Sequence, residues 1–250
     1  MKGLLVPLIT PFNQGAFDDE SMQTLVQELE PFADGFIPCL STGEGKKISK
    51  EDRLKVVKNV MDVTSKEIYA GILDKSNGEI LEITKQLKEI GCNGVCINLL
   101  NGVDETTKLL FEKINMNVIL YFTEPIDDKV IQPLFSLKNL IAIKDSTRNL
   151  DFFNKLLKTK RQSKSSIDVF QGMENLLIES KDCDGYVLAL ANLEPELCKK
   201  MYDDRNTEID NKIKSLFKKY DLGGDEWFLT LKAELTKRNI IKSGEPVIGK

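Results

Sequence analysis

Short apolar runs alternate with longer segments of helical periodicity along 250 residues, and this pattern predicts a (β/α)8 TIM barrel with extra C-terminal helices. Two further observations point the same way. The apolar runs are continuous, as in strands buried on both faces of a parallel sheet. The Gly-x-Gly-x-x-Gly turn of a doubly wound dinucleotide-binding sheet follows none of them. The strand candidates are residues 4–9, 35–40, 68–73, 94–99, 118–122, 140–144, 167–171 and 185–190.

The first run lies in an apolar N-terminus that lacks the basic region and small-residue cleavage site of a signal peptide, so it reads as a strand. Pro7 and Pro38 each remove a ladder hydrogen bond, and both lie toward strand ends, where a bulge accommodates them. Segment 18–32 sets Met22, Leu25, Val26, Leu29 and Phe32 on one stripe. Segment 49–63 begins Ser49-Lys50-Glu51-Asp52, an N-cap with acids in the first turn. Helical segments at 78–90, 105–114, 127–137, 149–157 and 195–202 continue the alternation. Segments 210–220 and 226–239 then form helices of a C-terminal extension spanning 206–250. Neither repeats nor linkers interrupt the chain, which reads as one domain over 1–250.

Composition removes several chemistries. The chain has no histidine, so a Ser-His-Asp triad or a His-ligated zinc is excluded, and proton transfer falls to Lys, Tyr, Asp, Glu, Cys or water. A net charge of -4 disfavours an electrostatic nucleic-acid binder, and no apolar run is long enough to cross a bilayer. Cys39, Cys92, Cys96, Cys183 and Cys198 are odd in number and form no Cys-x-x-Cys pair, so neither a disulfide framework nor a thiolate metal site is signalled. Cys39 and Cys96 fall inside strand-like runs as buried thiols, and the expected compartment is the cytoplasm.

In a barrel, active-site residues come from the carboxyl ends of the strands and the loops after them. Those ends read Thr10, then Ser41-Thr42-Gly43-Glu44, Asp74, Asn98, Tyr121, Lys144, Gln171-Gly172 and Asn192. Lys144 ends the run Leu140-Ile141-Ala142-Ile143 and projects into the barrel mouth, where loss of water disfavours the charged ammonium. A neutral amine is what imine formation with a carbonyl requires. Position alone fits equally a lysine that snorkels to solvent. Tyr121 reaches the same mouth and could relay protons, or simply close the barrel. Ser41-Thr42-Gly43 offers hydroxyls and backbone N–H groups suited to a carboxylate, or forms an ordinary polar loop. Gly172 allows close ligand approach or merely turns the chain. Glu44 is expected to cap the following helix rather than face the pocket, and strand alternation sends Asp145 to the opposite face from Lys144.

These residues, in this order, resemble the class I aldolases of the dihydrodipicolinate synthase and N-acetylneuraminate lyase family. Thr10-Pro11-Phe12 is similar to the family's Thr-Pro-Phe opening. Ser41-Thr42-Gly43-Glu44 resembles its Gly-Thr-Thr-Gly-Glu loop, with Leu40 in place of the first glycine. Tyr121-Phe122-Thr123-Glu124-Pro125 is a degraded Tyr-Asn-x-Pro, and Ile143-Lys144-Asp145-Ser146 is close to the Schiff-base segment. Gln171-Gly172-Met173-Glu174 resembles the Gly-x-Asp turn, residues 185–192 the last strand, and Pro246 a proline near the family's C-terminus.

The resemblance implies that Lys144 forms the imine with pyruvate, that Tyr121 shuttles the proton, and that Ser41 and Thr42 bind the carboxylate. It implies no cofactor and no metal, and a homo-oligomer, tetramer or dimer. Departures narrow the choice. The synthase branch places an arginine soon after Tyr-Asn-x-Pro for a second carboxylate, where this chain has Ile126-Asp127-Asp128. The family's Pro-Tyr-Tyr loop after the fourth strand is replaced by Asn98-Leu99-Leu100-Asn101-Gly102.

The implied reaction is reversible cleavage of 2-keto-3-deoxygluconate to pyruvate and glyceraldehyde, as in Entner–Doudoroff carbohydrate breakdown. Thr123, Ser146 and Glu174 match positions that contact the sugar hydroxyls. The alternatives are an N-acetylneuraminate lyase, a dihydrodipicolinate synthase, a keto-deoxy-acid dehydratase, or a barrel that binds a keto acid without turnover.

Overall fold

The computed structural model describes residues 2–99 and 102–248. Eight parallel strands close into a barrel: β1 (Gly3–Pro7), β2 (Gly35–Ile37), β3 (Glu67–Ile72), β4 (Gly94–Ile97), β5 (Asn117–Phe122), β6 (Leu140–Asp145), β7 (Asp168–Gln171) and β8 (Gly185–Val187). Each strand pairs with its neighbours in sequence, and β8 returns to β1 with Gly3 opposite Gly185. Strand alternation divides the apolar residues. Leu5, Ile37, Tyr69, Cys96, Ile119, Ala142 and Phe170 fill the barrel interior. Leu4, Val6, Phe36, Val95, Leu120 and Ile143 point outward, into the layer shared with the helices.

That outer layer holds α1 (Asp19–Leu29), α2 (Lys50–Met61), α3 (Asn77–Glu89), α4 (Glu105–Lys113), α5 (Asp128–Leu134), α6 (Leu150–Ser163) and α7 (Pro195–Asp204). The extension adds α8 (Thr207–Lys219) and α9 (Trp227–Lys237). The helix starts follow local chemistry. The Ser49 hydroxyl accepts the Asp52 N–H at 3.0 Å, the cap that its sequence signals. Ser76 and Glu79 form a reciprocal capping box at the start of α3. Helix α6 runs past residue 157, where its apolar stripe ends. Lys160 on that polar turn pairs with Asp168 at 3.0 Å and Asp184 at 2.5 Å, tying it to the bottom of the sheet.

Two expected strands are cut to half the length of their apolar runs. Strand β2 stops at Ile37 because Pro38 has no N–H, and Cys39 takes the left-handed conformation at φ 59°. Cys39 therefore sits in a turn rather than in a strand. Strand β8 stops at Val187, and residues 189–192 wind into a 3-10 turn. Asn192 in that turn fastens the barrel closure, accepting the Ile9 N–H at 3.1 Å and donating to Pro7 O at 2.9 Å. Between β7 and β8 the described chain forms only the 3-10 turn Glu174–Leu176, and α8 of the extension packs there. Asp210 accepts the Ile178 N–H at 3.3 Å and Lys214 reaches Glu179 at 2.9 Å. The extension thus fills a position that a barrel helix ordinarily occupies.

All five cysteines are buried and free, and burial pushes their thiols up, Cys39 to about 11 and Cys96 to about 12. Among the described residues, no helix is long and apolar enough to cross a membrane.

Candidate active site

Lys144 and Tyr121 are directly opposite one another in the β5–β6 ladder, on the face that looks into the barrel. The Lys144 ammonium stands 3.7 Å from the Tyr121 ring centroid and donates to Ser146 Oγ at 3.1 Å. Lys144 is 5% exposed and Tyr121 7%, so both side chains are sheltered from bulk water. The Tyr121 hydroxyl lies 3.3 Å from Ser41 Oγ, which joins the β2 loop to the same centre. Gly172 closes in from the end of β7. A Cβ there would come 2.2 Å from Ser146 Oγ and 3.0 Å from Lys144 Cε, so only glycine leaves the amine room.

A pocket of about 380 Å³ opens above these groups, within the range of small-molecule sites. Ser41, Thr42, Tyr121, Thr123, Lys144, Ser146, Gly172 and Glu174 all line it. Glu174 is buried and accepts the Leu190 N–H at 3.1 Å. Burial pushes its carboxyl above the ordinary carboxylate range, while the backbone N–H groups pull it down.

Two expected site residues stand behind the pocket instead of in its lining. Thr10 is fully buried and donates its hydroxyl to Gly43 O at 2.8 Å. Gly43 packs against β1, where a Cβ would meet Leu8 O at 2.7 Å. Both shape the Ser41–Thr42 turn from beneath. Asp145 points away from the mouth, as alternation requires, and accepts the Thr147 N–H at 3.0 Å. Burial pushes its carboxyl up to about 6.

Glu44 overturns its expected role. It does not cap α2, which Ser49 caps, and it does not line the pocket. Its carboxylate is buried and pairs with Lys232 of α9 at 2.5 Å, and also accepts the Val247 N–H at 3.0 Å. Periodicity carries no signal for this pairing, because the partner lies 188 residues away. Arg53 likewise has no sequence signal. It is 1% exposed and donates to the carbonyls of Cys39, Gly45 and Gly71 below the same loop.

Other lining residues escape the strand-end reading. Trp227, the single tryptophan, and Leu222 come from the extension, which no barrel rule assigns to the mouth. Met173 and Ala189 add apolar wall, while Arg148 and Glu124 place opposite charges at the rim. Arg148 follows Lys144 by four residues, and the rule of loops after strands could have found it. Leu100 and Asn101, part of the loop that lacks the aromatic pair, lie outside the described residues. Among the described residues, no three His, Cys, Asp or Glu side chains cluster closely enough to hold a metal ion.

The eight-stranded barrel thus carries a sheltered amine at the ends of its strands. The chain is a member of the dihydrodipicolinate synthetase family, whose sequence model matches residues 1–244. It is 31% identical over 216 residues to an uncharacterised DapA-like lyase from Pyrococcus horikoshii, covering 79% of this chain and 74% of that one. It is 22% identical over 242 residues to a 4-hydroxy-tetrahydrodipicolinate synthase from Thermotoga sp., covering 87% and 82%. Among solved structures, a 2-keto 3-deoxygluconate aldolase from Picrophilus torridus superposes with a TM-score of 0.83 over 98% of this chain and 96% of that one. At 24% identity this likeness is one of fold.

Proposed function

We propose that the chain is a Schiff-base aldolase that reversibly cleaves 2-keto-3-deoxygluconate to pyruvate and glyceraldehyde. The observation that supports it is the Lys144 amine held 3.7 Å from the Tyr121 ring, with the Tyr121 hydroxyl in reach of Ser41. The neutral Lys144 amine adds to the C2 carbonyl, the Tyr121 O–H protonates the carbinolamine hydroxyl, and loss of water leaves a protonated imine and a Tyr121 phenolate. The Tyr121 oxygen takes the proton of the C4 hydroxyl. The C3–C4 bond then breaks, its electron pair moves into the imine to form an enamine, and the aldehyde leaves. Protonation at C3 and hydrolysis return pyruvate and the free amine. Ser41 and Thr42 hold the carboxylate through hydroxyl and backbone N–H groups. Thr123, Ser146 and Glu174 face the sugar hydroxyls.

The test is intact mass after addition of pyruvate and borohydride, followed by peptide mapping. A pyruvate-sized adduct on Lys144 supports the imine, and its absence from folded protein defeats it. Glu174→Gln keeps an acceptor for Leu190 but loses the charge. It is expected to raise KM for the six-carbon substrate about tenfold, the size of one charge-assisted hydrogen bond, while sparing pyruvate trapping. Equal loss of both would make Glu174 a support for the whole site.

One observation favours a second reading within the class. Arg148 at the rim offers a cation that Ile126-Asp127-Asp128 does not. It would suit an aldehyde bearing a carboxylate or phosphate. Condensation rates of pyruvate with glyceraldehyde, its 3-phosphate and aspartate semialdehyde separate the two readings.

A further inference from the structure

The buried pair between Glu44 and Lys232 joins the loop that carries Ser41 and Thr42 to the C-terminal extension. Both side chains are 0–1% exposed, and their 2.5 Å contact is the deepest ion pair described. A buried carboxylate and ammonium persist only when each satisfies the other and the remaining valences find partners. Here Lys232 also donates to Glu245 O at 2.8 Å, and Glu44 accepts the Val247 N–H at 3.0 Å. The other cation near Glu44 is Lys47, at 3.2 Å, whose side chain is 47% exposed.

The geometry carries this pairing to the mouth. Glu44 and Ser41 close one turn, with the Glu44 N–H on Ser41 O at 3.0 Å and the Gly43 and Gly45 N–H groups on Leu40 O. Glu44 holds φ at 52°, a left-handed conformation that side chains other than glycine resist. Its anchored carboxylate opposes relaxation of that residue. Ser41 in turn meets the Tyr121 hydroxyl at 3.3 Å. We propose that Lys232 is a positioning residue, which through Glu44 holds the Ser41–Thr42 turn in register for the substrate carboxylate. The C-terminal extension, which contributes no group to the imine, thus sets the affinity of the carboxylate subsite. This inference rests on the reading of that turn as the carboxylate subsite.

The experiment measures the pyruvate concentration that half-saturates borohydride trapping on Lys144, in the full chain and in Lys232→Met. Emission of the single tryptophan, Trp227 on α9, checks that the helix is seated. Half-saturation is expected to rise about 10–100-fold, as for an ångström-scale misplacement, with kcat at saturating substrate within about threefold of the parent. Lys232→Arg, which keeps the charge, is expected to recover most of the loss. Unchanged half-saturation in folded Lys232→Met overturns the proposal. So does an equal fall in kcat and affinity that arginine does not rescue, since that marks general loosening. Should Lys232→Met not fold, Glu44→Gln, equal in size and shape, carries the same comparison. Failure of the parent chain to trap pyruvate defeats the functional reading itself, and the proposal with it.

Discussion

Lys144→Ala is expected to fold and to show no measurable cleavage. Among the described residues Lys144 forms no direct ion pair, though its charge favours the ionised form of buried Glu174 and Asp145, and alanine removes that influence. The losses are a hydrogen bond to Ser146 and the contact with the Tyr121 ring. Stability falls by about 1–3 kcal/mol, a range that a domain of this size tolerates. Chemistry has no substitute, because among the described residues no other lysine lines the pocket. Without an imine the C3–C4 electrons have no sink. The check is aldehyde release from 2-keto-3-deoxygluconate alongside a thermal melt. Turnover retained by the folded variant would remove the imine mechanism.

Tyr121→Phe is expected to slow cleavage by about 10²–10⁴-fold while leaving the pyruvate adduct intact. The ring that packs beneath the Lys144 ammonium remains, so the amine keeps its place. What disappears is the oxygen 3.3 Å from Ser41, which is the proposed acceptor for the C4 hydroxyl proton. The measurement is kcat beside borohydride trapping in one preparation. An unchanged rate would assign the proton to water or to the substrate. A barrel that only binds keto acids would lose nothing it does.

The architecture was legible because each strand is a short apolar run and each helix carries a stripe. Lys144 and Tyr121 were legible because strand ends of a barrel face its mouth. Where local rules stopped, long-range packing decided. Pro38 and Cys39 cut β2 short, a turn conformation that hydrophobicity does not encode. Glu44 read as a cap because its true partner, Lys232, is distant in sequence and looks like any helical lysine. Trp227 gave no hint of reaching the pocket, since the extension has no fixed relation to a barrel in sequence terms. Thr10 and Gly43 were placed on the right loop but one layer too far forward.

The burial of all five cysteines has a consequence for how the chain meets oxidants and alkylating agents. Reaction requires the thiolate, and every one of these sulfurs is held protonated by its surroundings. The folded molecule therefore offers such reagents no reactive thiol. Modification must wait for an opening that exposes strand or helix interior, and Cys96 inside the barrel needs the sheet itself to part. Thiol chemistry on this protein is in effect a clock for unfolding.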